Sequence, residues 1–239
     1  MREEVISIGV LGSADLASER NLEEIQPAVQ QNSLSRGWNP EKFARQQIHA
    51  LVRQVFFSGL EKRVRQVVFS AIEPETEIQT ICQRVGEALA AETVSSVGVL
   101  GGSSQILKSF EPRSDGPSKD KTMPLRRIAM QLRDNLWLLP AIGSASDTGS
   151  TASLHSYLGE LRREFEYSIV EAPAAGESNE VTAMAQFADG IILVLSAQRT
   201  RRASARQIKD VLQGAKANIL GTVLSDRMFP IPERIYRRL

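Results

Sequence analysis

A single cysteine, Cys82, in 239 residues leaves no intramolecular disulfide and no cysteine-built zinc site, which suits a reducing cytoplasm. Cys82 falls on the apolar side of its predicted helix and is expected to be buried. Two histidines, His49 and His155, are all the imidazole available. Both fall in helical patterns, and no Ser-His-Asp arrangement can be read around either. Twenty-nine basic side chains against 28 acidic ones leave a formal net charge of +1. There is thus no global field to draw nucleic acid or an anionic membrane, and no nucleic-acid partner is expected. No run approaches the ~18 uninterrupted apolar residues of a membrane span, and Met1-Arg2-Glu3-Glu4 opens without an apolar signal region. A cytoplasmic protein without direct membrane insertion is the expectation, any membrane association coming through a partner.

What is present is a series of short apolar runs separated by helical periods. Residues 1–40 hold one such run, 5–11, and otherwise no sustained period, so they read as a partly disordered N-terminal arm. Residues 41–239 read as one domain. A helical stripe runs from Glu41 to about Leu60, followed by strands at 66–71, 97–101, 135–140, 167–171, 190–195 and 219–224. Helices fill the intervals near 77–91, 154–165, 179–187 and 202–214. Residues 108–127 lose the period and fill with Lys, Arg, Asp, Ser, Pro and Gly, which predicts a mobile surface loop. Continuous apolar strands alternating with helices predict an α/β fold: a doubly wound, mostly parallel sheet with helices on both faces. Right-handed crossovers put its site at the strands' C-terminal ends.

The first strand of the domain leads through Glu73-Pro74-Glu75-Thr76-Glu77-Ile78-Gln79-Thr80 into an amphipathic helix. Strand, polar turn and helix are the setting of a Walker A loop, in which glycines let backbone N–H groups wrap phosphates, a lysine reaches the outer ones and a Ser/Thr holds the metal. Here Glu75 and Glu77 stand at the glycine positions and Ile78 at the lysine position. Two carboxylates would face a polyphosphate with no cation to answer it, so ATP binding is disfavoured electrostatically. The nucleotide-binding segment Pro74, Glu75, Thr76, Glu77, Ile78, Gln79 and Thr80 is therefore read as vestigial, no catalytic residue is assigned, and no cofactor is expected. The alternative is ATP with magnesium, held by backbone groups of 74–80 and the Thr80 hydroxyl. Glu73, Glu75 and Glu77 read as a solvated charge run rather than a metal site.

Phe165-Glu166-Tyr167-Ser168-Ile169-Val170-Glu171-Ala172-Pro173, Ala188-Asp189-Gly190-Ile191-Ile192-Leu193-Val194, Arg199-Thr200-Arg201-Arg202 and Asn218-Ile219-Leu220-Gly221-Thr222-Val223-Leu224 occur in an order and spacing that resembles one family. That family is the bacterial tyrosine kinases and ATPases of capsule and exopolysaccharide synthesis, within the MinD/ParA-like P-loop group. The resemblance covers about residues 41–239. It implies that Glu171 stands at the acidic position of the Walker B strand, one methylene longer than the family's Asp. The family's second acidic strand end, Asp-x-Asp, falls on Gly101-Gly102-Ser103, so both carboxylates are missing. Ser225 replaces an asparagine that contacts the base in many members. The tail 229–239 offers only Tyr236 in place of a tyrosine cluster, together with the basic residues Arg234, Arg237 and Arg238. The family's oligomer-forming helix carries Glu-x-x-Arg-x-x-Arg; Glu41, Ala44 and Gln47 stand there, which leaves homo-oligomerisation open, with Arg45 as a partial substitute.

Taken together, the resemblance implies the pathway and the residues imply lost chemistry: a catalytically impaired regulatory or scaffolding protein whose partner is another protein, of the kind of a membrane polysaccharide copolymerase. Two alternatives stay open, a divergent ATPase or tyrosine autokinase of the same pathway and a MinD/ParA-like positioning adaptor.

Overall fold

The computed structural model describes residues 7–9, 40–59, 63–102, 125–140 and 151–226. The rest of the 1–40 arm, most of the 108–127 loop, Ser103 and the tail 227–239 lie outside the described residues.

Eight strands form one sheet in the order β1-β8-β7-β2-β6-β3-β5-β4. The six inner strands, β2 (Gln66–Ala71), β3 (Val97–Gly102), β5 (Leu136–Pro140), β6 (Tyr167–Glu171), β7 (Gly190–Ser196) and β8 (Ile219–Ser225), run parallel. Short antiparallel strands close both edges: β1 (Ser7–Gly9) on β8 and β4 (Met130–Arg133) on β5. The continuous apolar runs become strands buried on both faces, as they must when helices cover the sheet on either side. On one face, Val67, Phe69, Val99, Ile169 and Ile192 pack against α1 (Pro40–Phe56) and α2 (Gln79–Glu92). On the other, Val68, Leu100, Val170, Ile191 and Leu193 meet α3 (Leu125–Ile128), α4 (Thr151–Glu164), α5 (Glu180–Phe187) and α6 (Arg202–Gly214). The predicted doubly wound, mostly parallel sheet is the one observed.

Three features differ from the expectation. Residues 7–9, assigned to the arm, add a strand to the sheet through pairing Ser7↔Leu224 to Gly9↔Thr222. The C-terminal end of the predicted 108–127 loop is helical: Glu164, at the end of α4, accepts from the N–H of Leu125 at 2.7 Å and of Arg126 at 3.0 Å, so a carboxylate 38 or more residues away caps α3. Arg126 also lies 4.7 Å over the Trp137 ring. Finally, β4 had no apolar signal because it is a mostly exposed edge strand.

Asp189, at the start of β7, ties the inner strands together. It accepts from the backbone N–H of Arg65 and Gln66 at 2.9 and 3.0 Å, and Arg162 of α4 donates to both its oxygens at 2.6 and 2.7 Å. Burial pushes this carboxyl up, but those hydrogen bonds outweigh it and hold it below its ordinary range.

Candidate functional site

β2 lies between β6 and β7, so the chain leaves it in one direction for β3 and returns on the other side for β7 and β8. In a doubly wound sheet this reversal opens a crevice at the strands' C-terminal ends. The loop 72–78 between β2 and α2 sits there, joined by the ends of β3 (Gly101), β6 (Glu171), β7 (Ser196) and β8 (Ser225).

The residues of loop 74–80 do not stand as a phosphate cradle would. Ile78, at the lysine position, is 7% exposed and packs into the core cluster under α1 and α2. Its backbone φ of −102° and ψ of −17° lead directly into α2, and no side chain caps that helix. An apolar side chain next to a buried helix face gains more from the core than from the loop's solvent, and it turns inward. Glu77 accepts from the Thr80 hydroxyl at 2.9 Å, so the hydroxyl of the nucleotide-binding alternative is already paired. Glu73 accepts from Thr200 Oγ1 at 2.6 Å, and the same oxygen accepts from the Ser196 N–H at 2.9 Å. The loop is thereby tied to the β7–α6 turn. Thr76 is 6% exposed, and its hydroxyl has no hydrogen-bond partner. Pro74, Glu75 and Gln79 complete the segment; Pro74 and Glu75 are exposed and Gln79 half-buried.

Glu171 ends β6 and stands against Gly101 on the neighbouring strand. Gly101 has φ +123°, a region L side chains rarely adopt, and a Cβ there would collide with the Glu171 carboxylate. Oε2 of Glu171 is buried without a partner. Burial first, and the Glu77 charge second, push the Glu171 carboxyl up to about 7. The same carboxylate, after burial, helps push the Cys82 thiol well above its ordinary range. Cys82, 1% exposed, is an inert core residue as expected.

The protein's own backbone crowds what remains of the crevice. Ser70 donates to Pro173 O at 2.6 Å, Ala175 N–H donates to Ala71 O at 2.8 Å, and a Cβ on Gly176 would come within 2.8 Å of Ile72 O. Ser225 is buried and donates to Leu195 O at 3.3 Å. Among the described residues, no three His, Cys, Asp or Glu side chains are grouped to hold a metal ion. The residues present do not fit a magnesium polyphosphate: a buried isoleucine, a carboxyl with a raised affinity for its proton, and a second carboxylate at its side. The histidines lie elsewhere: His49 Nδ1 is 3.1 Å from Glu92 Oε1 on the outer flank of α1, and His155 stacks on Phe187 at 4.4 Å. Among the described residues, no helix is long and apolar enough to cross a membrane.

Glu77 and Gly101 both lie beside Glu171, and three features went unseen in the sequence: the left-handed Gly101, the orphaned Thr76 hydroxyl and the Thr200–Glu73 tie. Only the first left a signal, a glycine pair closing an apolar strand.

No family model matches the chain, and no curated protein matches it either. Solved structures do. The kinase domain of the Escherichia coli tyrosine kinase ETK superposes with a TM-score of 0.63 at 14% identity, covering 82% of each chain. The VpsO kinase domain gives 0.55 at 17% identity over 79% of this chain and 98% of its own. The MinD cell division protein of Aquifex aeolicus gives 0.52 at 16% identity over 73% and 72%. Identities this low establish shared architecture rather than shared chemistry. The chain has the doubly wound, P-loop-type α/β fold found in bacterial tyrosine-kinase domains and in MinD.

Proposed function

We propose that this protein is a catalytically impaired P-loop-type domain that acts as a regulatory or scaffolding subunit in bacterial exopolysaccharide or capsule production. In this reading it works by docking to another protein, of the kind of a membrane polysaccharide copolymerase, and is membrane-associated only through that partner. The observation that carries the loss of chemistry is Ile78, buried in the core where a phosphate loop needs an ammonium group. Glu171 supports it, since a buried, unpartnered carboxyl beside Glu77 offers the phosphates neither a cation nor a network of donors. The pathway rests on the sequence resemblance of residues 165–173, 188–194, 199–202 and 218–224. The MinC:MinD complex among proteins of this fold supports a protein as the partner class.

Titration of ATP with magnesium by calorimetry tests the reading, with no binding expected at physiological concentration. A micromolar dissociation constant, accompanied by the rise in melting temperature that mass action requires, overturns it.

One observation favours a second reading, a divergent ATPase or autokinase of the same pathway. The first turn of α2 has no side-chain cap, so its N–H groups stay available to an anion. ATP-dependent phosphorylation of Tyr236, or ATP turnover lost on Thr80→Val, would establish that reading in place of the first.

A further inference from the structure

A hollow of about 420 Å³ lies on the outer flank of α2, away from the loop 72–78, and three arginines from three separate elements converge on it: Arg45 of α1, Arg84 of α2 and Arg133 of β4. Its acidic lining is partly engaged. Glu41 stands 3.8 Å from Arg45, and Glu87 accepts from Gln83 Nε2 at 3.1 Å. Arg84 is half-buried, and neither it nor Arg133 has an ion-pair or hydrogen-bond partner among the described residues. The pairing of β4 with β5 shifts register between Gln131 and Arg133, so one extra residue enters the edge strand just before the arginine. Such bulges re-aim a side chain at sheet edges. Ile48 and Ala88, both buried, contribute apolar surface to the same hollow.

We infer that this hollow is a binding site for a small phosphorylated metabolite, of the class of sugar phosphates and nucleoside diphosphates. Guanidinium groups present fork-like pairs of donors that match phosphate oxygens bidentately; three of them against Glu41 and Glu87 leave the hollow net positive, and Arg84 and Arg133 stand outside any ion pair among the described residues. The volume falls within the range of small-ligand pockets, and the Ile48–Ala88 surface seats a compact, uncharged body. A nucleic-acid strand is the poorer match. It needs a charged stripe with successive stacking platforms, whereas these arginines converge on one hollow whose only ring is His49, held against Glu92. The site is independent of the proposed loss of chemistry at the old loop.

Calorimetric titration of the full chain with inorganic pyrophosphate and with UDP at low ionic strength tests the inference. Saturable binding of both is expected, weakened about tenfold for each arginine removed in Arg84→Ala and Arg133→Ala. Ala91→Phe, which fills the hollow and leaves every arginine in place, should also weaken UDP. Arg202→Ala with Arg206→Ala, on the separate basic face of α6, should leave binding unchanged, and melting curves confirm that each variant is folded. Absence of saturable binding to the parent protein up to about 10 mM overturns the site, as that is weaker than any specific role requires. Binding that survives Arg84→Ala/Arg133→Ala, or that is lost in the α6 variant instead, overturns it equally. The double variant also separates this site from the old loop, because ATP bound at loop 72–78 would be indifferent to it.

Discussion

Glu171 fills the space that a side chain at residue 101 would need. The glycine on β3 and the acid on β6 are therefore one structural unit: the strand without a side chain at 101 accommodates the carboxylate of its neighbour. Gly101→Ala should destabilise the fold by about 2 kcal/mol or more, combining a positive φ with a collision. In a Glu171→Gly background the same substitution should cost about 1 kcal/mol less, because both the Cβ and the carboxylate that it would meet are gone and only the backbone component remains. Urea denaturation of the four proteins measures this coupling. Additive effects would mean that the two residues do not touch.

The pH dependence of stability follows from the same carboxyl. Its folded value lies near 7, above the ordinary 4.5, so the folded state holds a proton that the unfolded chain has already released. Stability contributed by Glu171 is complete below about pH 4.5, declines as pH rises through the window to about 7, and is flat above it. Glu171→Gln should remove this decline, so that the variant melts higher than the parent at pH 8 and near it at pH 4.5. Parallel melting curves across pH 4.5–8 for the two proteins would contradict the burial assigned to this group.

The Arg162–Asp189 pair works in the opposite direction. Asp189 has a side chain only 2% exposed and a lowered folded value, so its contribution is present above the ordinary 3.8 and is lost as pH falls below it. Arg162→Ala removes the charged partner of a buried carboxylate and should cost about 3 kcal/mol in chemical denaturation at pH 7. Asp189→Asn with Arg162→Met should recover part of that loss.

Restoring the loop tests how much of the old site survives. Glu75→Gly, Glu77→Gly and Ile78→Lys together replace repulsion with N–H donors and one cation, and should raise ATP affinity measurably by calorimetry. Ile78→Lys also removes a core residue, so the melting temperature should fall. Turnover should stay low, because Gly101 supplies no carboxylate and Glu171 faces the glycine rather than a metal. A folded triple variant without any gain in ATP binding would place the pocket elsewhere.

The order of elements from β2 to β8 was legible in the chain because the central strands β2, β6 and β7 are buried on both faces and so must be near-continuous apolar runs. β6 and α6 fall on the residues that the pattern predicts. The edges were not legible. β1 and β4 are held by pairing with β8 and β5, and α3 by the distant Glu164, none of which leaves a local period. At the candidate site, the presence of Glu75, Glu77 and Ile78 in the β2–α2 loop is a fact of the sequence. Where those side chains went is not. Whether Ile78 turned to solvent or core, whether Glu171 found a partner, and whether Thr200 reached Glu73 across 127 residues were settled by packing, because orientation and desolvation depend on neighbours brought together only when the sheet closes. The sequence by itself determined the layered fold and left the β2–α2 loop without a lysine; the tertiary structure alone decided that the space beside Gly101 is filled by the Glu171 carboxylate, whose burial raises its affinity for a proton.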